Sequence, residues 1–161
     1  MHGLRFVKNT NKIMKILQAT IADAEEILKL QKLAYQIEAE RYNDYSIPPL
    51  KQTNDEIKEQ FKTHIFLKAD SEGAIIGTVR AHEENETCYI GRLAVRPNMQ
   101  NQGIGTILMK EIEKCFTTKH FELFVGSKSG KNIHLYQKLG YSIFRTGGCE
   151  CGHIEILHME K

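Results

Sequence analysis

Apolar and polar positions fall into blocks whose period switches between two and about 3.6, and the switches predict the elements of the chain. Lys15 to Ala19 is a short apolar segment that reads as a first strand. Thr20 with Asp23 three residues on makes a capping-box-like start, and Ile27, Leu30, Leu33, Ala34 and Ile37 then form one apolar helix face that runs to about Arg41. Pro48 and Pro49 forbid continuation. The Tyr42–Leu50 segment mixes aromatic and polar groups in a loop, either a specificity loop or a connector whose tyrosines cover the core edge. Thr53-Asn-Asp-Glu56 is a full capping box and predicts a second helix to about Lys62. His64–Ala69, Ala74–Glu83 and Cys88–Val95 read as three successive antiparallel strands separated by the polar turns Asp70–Gly73 and Glu84–Glu86. From Gly103 onward Ile104, Ile107, Leu108, Ile112, Cys115 and Phe116 recur at helical spacing. Phe121–Val125 is a further strand, and Lys131–Leu139 a short helix ended by Gly140. Tyr141–Thr146 and His153–Glu160 pair as a hairpin around Gly-Gly-Cys-Glu-Cys-Gly. The order β-α-α-β-β-β-α-β-α-β-β carries no internal repeat.

Composition narrows this little. A chain of 161 residues fits one domain with a sizeable core. A net charge of +2 is too small to argue for nucleic acid or an anionic membrane surface. No run is long enough for a membrane-spanning helix, and no signal-peptide h-region precedes the first strand. Cys88, Cys115, Cys149 and Cys151 show no disulfide framework, which points to a reduced, cytoplasmic setting. Residues 1–13 are polar and basic without periodicity. They read as an N-terminal extension that need not be ordered, ahead of a single domain over 14–161.

The stretch Cys88–Phe116 organises the rest. A strand stopped by Pro97 and Asn98 leads into Gln100-Asn-Gln-Gly-Ile-Gly105 and then a helix. Glycine lets a backbone approach a ligand closely, and the first amides of a helix lack intrahelical partners. With the helix dipole they make a site for phosphate or pyrophosphate. A plain turn leading into the helix is the bland alternative. The motif is not a P-loop, because Gly105 is followed by Thr106 and Ile107 rather than Lys and Ser/Thr. Nor is it a dinucleotide fingerprint, which opens the first βα turn of a parallel sheet.

Leu93-Ala-Val95 followed by Gln100-x-x-Gly103-x-Gly105, and later Asn132-Ile-His-Leu-Tyr-Gln-Lys-Leu-Gly-Tyr141, together resemble the two signature segments of the GNAT N-acetyltransferases. The resemblance covers roughly Met14 to Lys161. It implies an α/β (α+β) fold, with a mixed, largely antiparallel sheet of about seven strands flanked by about four helices. It also implies acetyl-CoA as co-substrate. The amides of Asn101, Gln102, Gly103, Ile104, Gly105 and Thr106, with Gln100, would hold the pyrophosphate, and the backbone of Leu93, Ala94 and Val95 would pair with the pantetheine arm. Tyr136 matches the family tyrosine near the CoA sulfur, a general acid; an anchor between helix and sheet is the alternative reading.

Direct attack on a thioester needs a deprotonated amine. An alkylamine with a lysine-like pKa near 10.4 is only about one part in a thousand free base at pH 7, so a base or water chain is useful. Two departures limit the carry-over. Ser129 stands seven residues before Tyr136, where the family usually has asparagine, so that CoA contact goes to Ser129 first and to Asn132 as substitute. Tyr89 stands where histone-type members place a basic glutamate. Glu83 and Glu38 are alternatives, though a surface carboxylate is the plainer reading of each, and the base is not identified. Arg80, Arg92 and Arg145 could hold a carboxylate or be structural. Cys149-Glu-Cys151 with His153 and His158 is poor evidence for a metal; two exposed thiols are the plainer account. The expected function is acetyl transfer to a primary amine of a small molecule, peptide or protein. A CoA-binding sensor without turnover is the rival, and a homodimer is common in the family.

Overall fold

The computed structural model describes residues 5–9, 12–149 and 152–161. Strands β1 (Arg5–Asn9) and β2 (Lys12–Gln18) precede a 3-10 turn and helix α1 (Ala24–Tyr42). Short helix α2 (Pro48–Lys51) and helix α3 (Asn54–Gln60) follow. Then come β3 (Ile65–Ser71), β4 (Ala74–Glu84), β5 (Thr87–Val95), α4 (Ile104–Glu113), β6 (His120–Gly126), α5 (Gly130–Lys138), β7 (Ser142–Gly148) and β8 (Glu155–Glu160). One eight-stranded sheet runs β1-β2-β3-β4-β5-β6-β8-β7, antiparallel throughout except for the parallel pair β5–β6. The mixed, largely antiparallel α/β architecture expected from the sequence is the one observed. Seven strands come from the region read as the domain, and an eighth comes from the segment set outside it.

That eighth strand, Arg5–Asn9, pairs with β2 in the register Arg5↔Ile16 to Asn9↔Lys12. An edge strand is held by main-chain hydrogen bonds and needs no apolar alternation, so hydrophobic patterning did not reveal it. The two prolines end one helix and open another. After Tyr42 the chain turns at Asn43, whose φ of 48° is left-handed. Pro48 and Pro49 then sit in the first turn of α2, where a missing N–H leaves no bond unmade.

The sheet separates two cores. On one face α4 and α5 cover Leu67, Ala69, Val79, Ala81, Ile90 and Leu123, with Leu108, Met109 and Ile112 of α4 fully buried among them. On the other, Ile27, Leu28 and Leu30 of α1 and Ile57 of α3 close over Phe66 and Ile75. Phe66 and Leu67 are adjacent and point into different cores, as a strand buried on both faces requires. The capping box that starts α3 is complete: Thr53 N–H donates to Glu56 Oε2 at 2.8 Å, and Glu56 N–H to Thr53 Oγ1 at 3.2 Å.

Candidate active site

Strands β5 and β6 pair over only three residue pairs, Thr87↔His120, Cys88↔Phe121 and Tyr89↔Glu122, and then diverge. From Ile90 to Val95 the β6-facing edge of β5 has no strand partner among the described residues, so its peptide groups face an open cleft. The divergence is reinforced by a bulge. Thr78 pairs with Ala94 and Arg80 with Gly91, so Val79 alone opposes Arg92 and Leu93, and Arg92 takes a left-handed φ of 55°. Past Val95, Gln100 Nε2 donates to the Val95 carbonyl at 3.2 Å and folds the turn back on the strand. Asn101 (φ 63°) and Gly103 (φ 79°) then swing the chain into α4. The first in-helix bond that follows is Ile107 N–H to the Gly103 carbonyl at 3.1 Å. The amides of Ile104, Gly105 and Thr106 therefore lie in the turn whose N–H groups have no intrahelical acceptor.

A cavity of about 600 Å³ fills the cleft. Ten of the residues expected from the sequence to contact the cofactor line it: Leu93, Ala94, Val95, Gln100, Asn101, Gly103, Ile104, Gly105, Thr106 and Asn132. Gln102, Ser129 and Tyr136 are not part of the lining. Gly105 is also a packing residue, since a Cβ there would come 3.3 Å from Leu135 of α5 and 3.6 Å from Leu93. Cationic side chains that the sequence reading passed over ring the cavity: Arg41, Lys110, Lys131 and Lys138. Lysines on exposed helix faces carry no signal of their own; they gain meaning only once three helices converge on one cleft.

The far wall belongs to α1. Tyr35, Glu38 and Arg41 recur there at helical spacing and reach the cavity together. Arg41 Nη1 donates to Glu38 Oε1 at 2.6 Å, and the buried Ser129 hydroxyl donates to Glu38 Oε2. Glu83, the other carboxylate considered as a base, lies at the opposite end of β4 beside Lys119 and His120. Tyr136 is buried beside Tyr141, ring edge to face at 6.2 Å. Burial pushes its phenol well above the ordinary tyrosine value, and the neighbouring Tyr35 and Glu38 add to the rise. Tyr35 is raised by burial as well, with Arg92 and Arg80 opposing.

Residues 24–141 match the model of the acetyltransferase (GNAT) family. The chain belongs to this family. It is thus an acetyltransferase by descent, and solved structures share its fold. The PaiA N-acetyltransferase of Thermoplasma acidophilum, solved in complex with coenzyme A, superimposes with a TM-score of 0.78 at 20% identity over 92% of this chain and 98% of that one. The ribosomal-protein-S18-alanine N-acetyltransferase of Escherichia coli gives 0.72 at 17% identity over 91% and 92%. The yncA protein of Salmonella typhimurium, solved with its cofactor acetyl-CoA, gives 0.72 at 17% over 92% of each chain. No curated protein matches the sequence of this acetyltransferase.

The other sequence candidates separate in space. His153 Nε2 lies 2.9 Å from Asp44 Oδ2, whereas His158 contacts Arg145 Nη2 at 3.4 Å, so the two histidines serve different elements. Cys149 is disulfide-bonded, in place of the free thiol expected; Glu150 and Cys151 lie outside the described residues. His120, Glu122 and Glu160 bring their ligand atoms within 4.8 Å of one another, a half-buried polar cluster in which His120 Nε2 lies 3.2 Å from Glu160 Oε2 across β6 and β8. Among the described residues no helix is long and apolar enough to cross a membrane.

Proposed function

We propose that this acetyltransferase moves the acetyl group of acetyl-CoA to a primary amine of a small molecule, peptide or protein. The observation that carries the reading is the unpaired β5 edge opening directly onto the free amides of α4. An extended arm ending in a pyrophosphate fits that pairing of an open strand edge with a helix N-terminus. The amides of 104–106 and the turn at Gln100–Gly103 would take the pyrophosphate, Lys110, Lys131 and Lys138 the remaining phosphate charge, and Leu93–Val95 the pantetheine amides. Asn132, on the cavity wall, is better placed than Ser129 for the polar contact the family makes with asparagine. Bound acetyl-CoA supplies the thioester.

The chain's own residues supply the proton handling. Glu38, held by Ser129 and Arg41 at the wall, is the base in this reading and takes the amine proton directly or through a water. Tyr136, kept protonated by burial, is the acid that donates toward the thiolate. The acceptor would come from the side of α1 and the Tyr42–Leu50 segment. A cytoplasmic setting stays part of the proposal on the unbonded Cys88 and Cys115, with the disulfide-bonded Cys149 weighing against it. So does a homodimer, for which the exposed Phe124, Ile143 and Phe144 on the β6–β8–β7 end offer an apolar surface. Thiol release from acetyl-CoA across an amine panel tests the main claim. Turnover on at least one amine supports it. Tight acetyl-CoA binding with no release on any amine leaves a CoA-binding sensor instead.

A further inference from the structure

Arg80 of β4 and Arg92 of β5 project from the same face of the sheet, beneath α1 and α3. Arg80 is 9% exposed, donates from Nη1 to Gln60 Oε1, and lies 5.9 Å from the centre of the Phe66 ring. Arg92 sits at the bulge, in a left-handed backbone conformation that strains a side-chain-bearing residue. Its Nη1 is buried with no hydrogen-bond partner. Besides each other and Tyr35, the guanidiniums have Gln60, Phe66 and His64 on the Arg80 side, and neither guanidinium makes an ion pair with a carboxylate among the described residues. Two like charges withdrawn from water without a counter-ion are costly, and a buried unpaired donor adds to that.

The position of the pair gives the cost a use. Arg92 immediately precedes Leu93, and Tyr35 both lines the cavity and faces the two guanidiniums. The cations therefore stand just behind the wall that carries Glu38. Toward the surface they are continued by an aromatic shelf: His64 lies 4.5 Å from His82, and His82 stacks on Tyr89 at 5.3 Å. Tyr89, the residue standing where a basic glutamate was sought, belongs to this shelf. Arg145 lies apart on the final hairpin, bonded to His158.

We infer that Arg80 and Arg92 form the recognition site for a carboxylate carried by the acceptor, so that the substrate is an amine bearing an acid group. This rests on the acetyl-transfer reading of the cavity. The acid binds the buried Arg80 and half-buried Arg92 guanidiniums through charge-assisted hydrogen bonds, Arg92 Nη1 gains its missing acceptor, and the amine end of the same molecule is left near Glu38.

The test uses the full chain and matched acceptors: a series of ω-amino acids, the corresponding ω-amino amides, and linear diamines. Thiol release should favour the best acid over its own amide by roughly tenfold or more in kcat/KM, as a charge-assisted bond to a buried arginine predicts. Arg92→Gln should bring that ratio toward one, and Arg92→Lys should recover part of it. An arm that needs no turnover follows the melting temperature with millimolar amino acid at constant ionic strength. A rise is expected in the unmodified protein and none in Arg92→Gln. Amides and diamines that serve as well as the acids, with no carboxylate-dependent rise, would overturn the inference while leaving acetyl transfer standing. A carboxylate-dependent rise without thiol release on any amine would keep the anion site and remove acetyl transfer. If Arg92→Gln fails to fold, the acid-to-amide ratio of the unmodified protein still decides.

Discussion

Ser129 and Glu38, 91 positions apart in the chain, are joined by a hydrogen bond from the serine hydroxyl to the carboxylate. The bond links the start of α5 to the C-terminal part of α1 and holds Glu38 at the cavity wall together with Arg41. A carboxylate fixed by two donors is positioned to work as a base. Glu38→Gln should lower kcat by roughly 10²- to 10³-fold, within the usual range for general acid–base catalysis. Acetyl-CoA affinity measured by calorimetry should hardly change. The residual rate of the variant should climb with pH as free amine accumulates, whereas the unmodified protein levels off earlier. Ser129→Ala, which removes only the positioning bond, should produce a smaller loss of the same kind. An unchanged kcat in Glu38→Gln excludes it as the base.

Tyr136 of α5 is buried close enough to Tyr35 and Glu38 to feel their charge, with its phenol pKa raised by burial. A phenol held above its ordinary value near 10 stays protonated at every pH where the amine chemistry runs, as an acid must. Tyr136→Phe keeps the ring contact with Tyr141 and removes one oxygen. Thiol-release assays should show kcat reduced by about 10²-fold with the acetyl-CoA KM and the melting temperature nearly retained. Full activity in the variant would make Tyr136 the anchor between helix and sheet that its burial also suits.

Most of the fold was legible because its signals are local. The capping box at Thr53–Glu56, the glycine turn at 103–105 and the short apolar strand segments bounded by polar turns each act over a few residues, and each appears where patterning placed it. The cleft proposed for the cofactor was legible for the same reason, since it is built from the backbone of one continuous strand–turn–helix. The acceptor side was not. Glu38 looks like any helix-surface carboxylate until Ser129 arrives from the other end of the chain. Lys110, Lys131 and Lys138 look solvated until α4 and α5 converge. The bulge at Arg92 has no sequence mark, because it arises from register between β4 and β5 and not from a turn residue.

Gly126 and Tyr42 make a third, purely structural test. A Cβ on Gly126 would lie 2.8 Å from Tyr42 Cζ, and the Tyr42 hydroxyl accepts from Lys128 N–H at 2.8 Å. The glycine makes room for a ring that ties the end of α1 to the loop before α5, next to Ser129. Gly126→Ala should cost about 1–3 kcal/mol through overpacking. Denaturant unfolding should show a lower midpoint with the slope unchanged. Adding Tyr42→Ala should make the two losses less than additive, because the second change empties the space the first one needs. Strict additivity would mean that the ring moves aside freely.

His64 contributes to the acid side of stability. Burial, Arg80 and the neighbouring His82 push it down to about 4, from an ordinary 6.5. The charged groups facing it are Arg80 and His82; Thr63 Oγ1 lies 2.8 Å from Nδ1, and its own backbone N–H donates to the Gln60 carbonyl. Above about pH 6.5 both folded and unfolded chains carry a neutral imidazole, and His64 contributes no pH dependence. Between about 6.5 and 4 the unfolded chain binds a proton that the folded one refuses, so stability falls as pH falls through that window and levels off below it. His64→Gln removes the titrating group. Unfolding midpoints measured across that window should fall less steeply in the variant than in the unmodified protein, with the two curves running parallel above pH 7. If they are parallel across the whole range, the imidazole already accepts its proton in the folded state, and Arg80 does not oppose it.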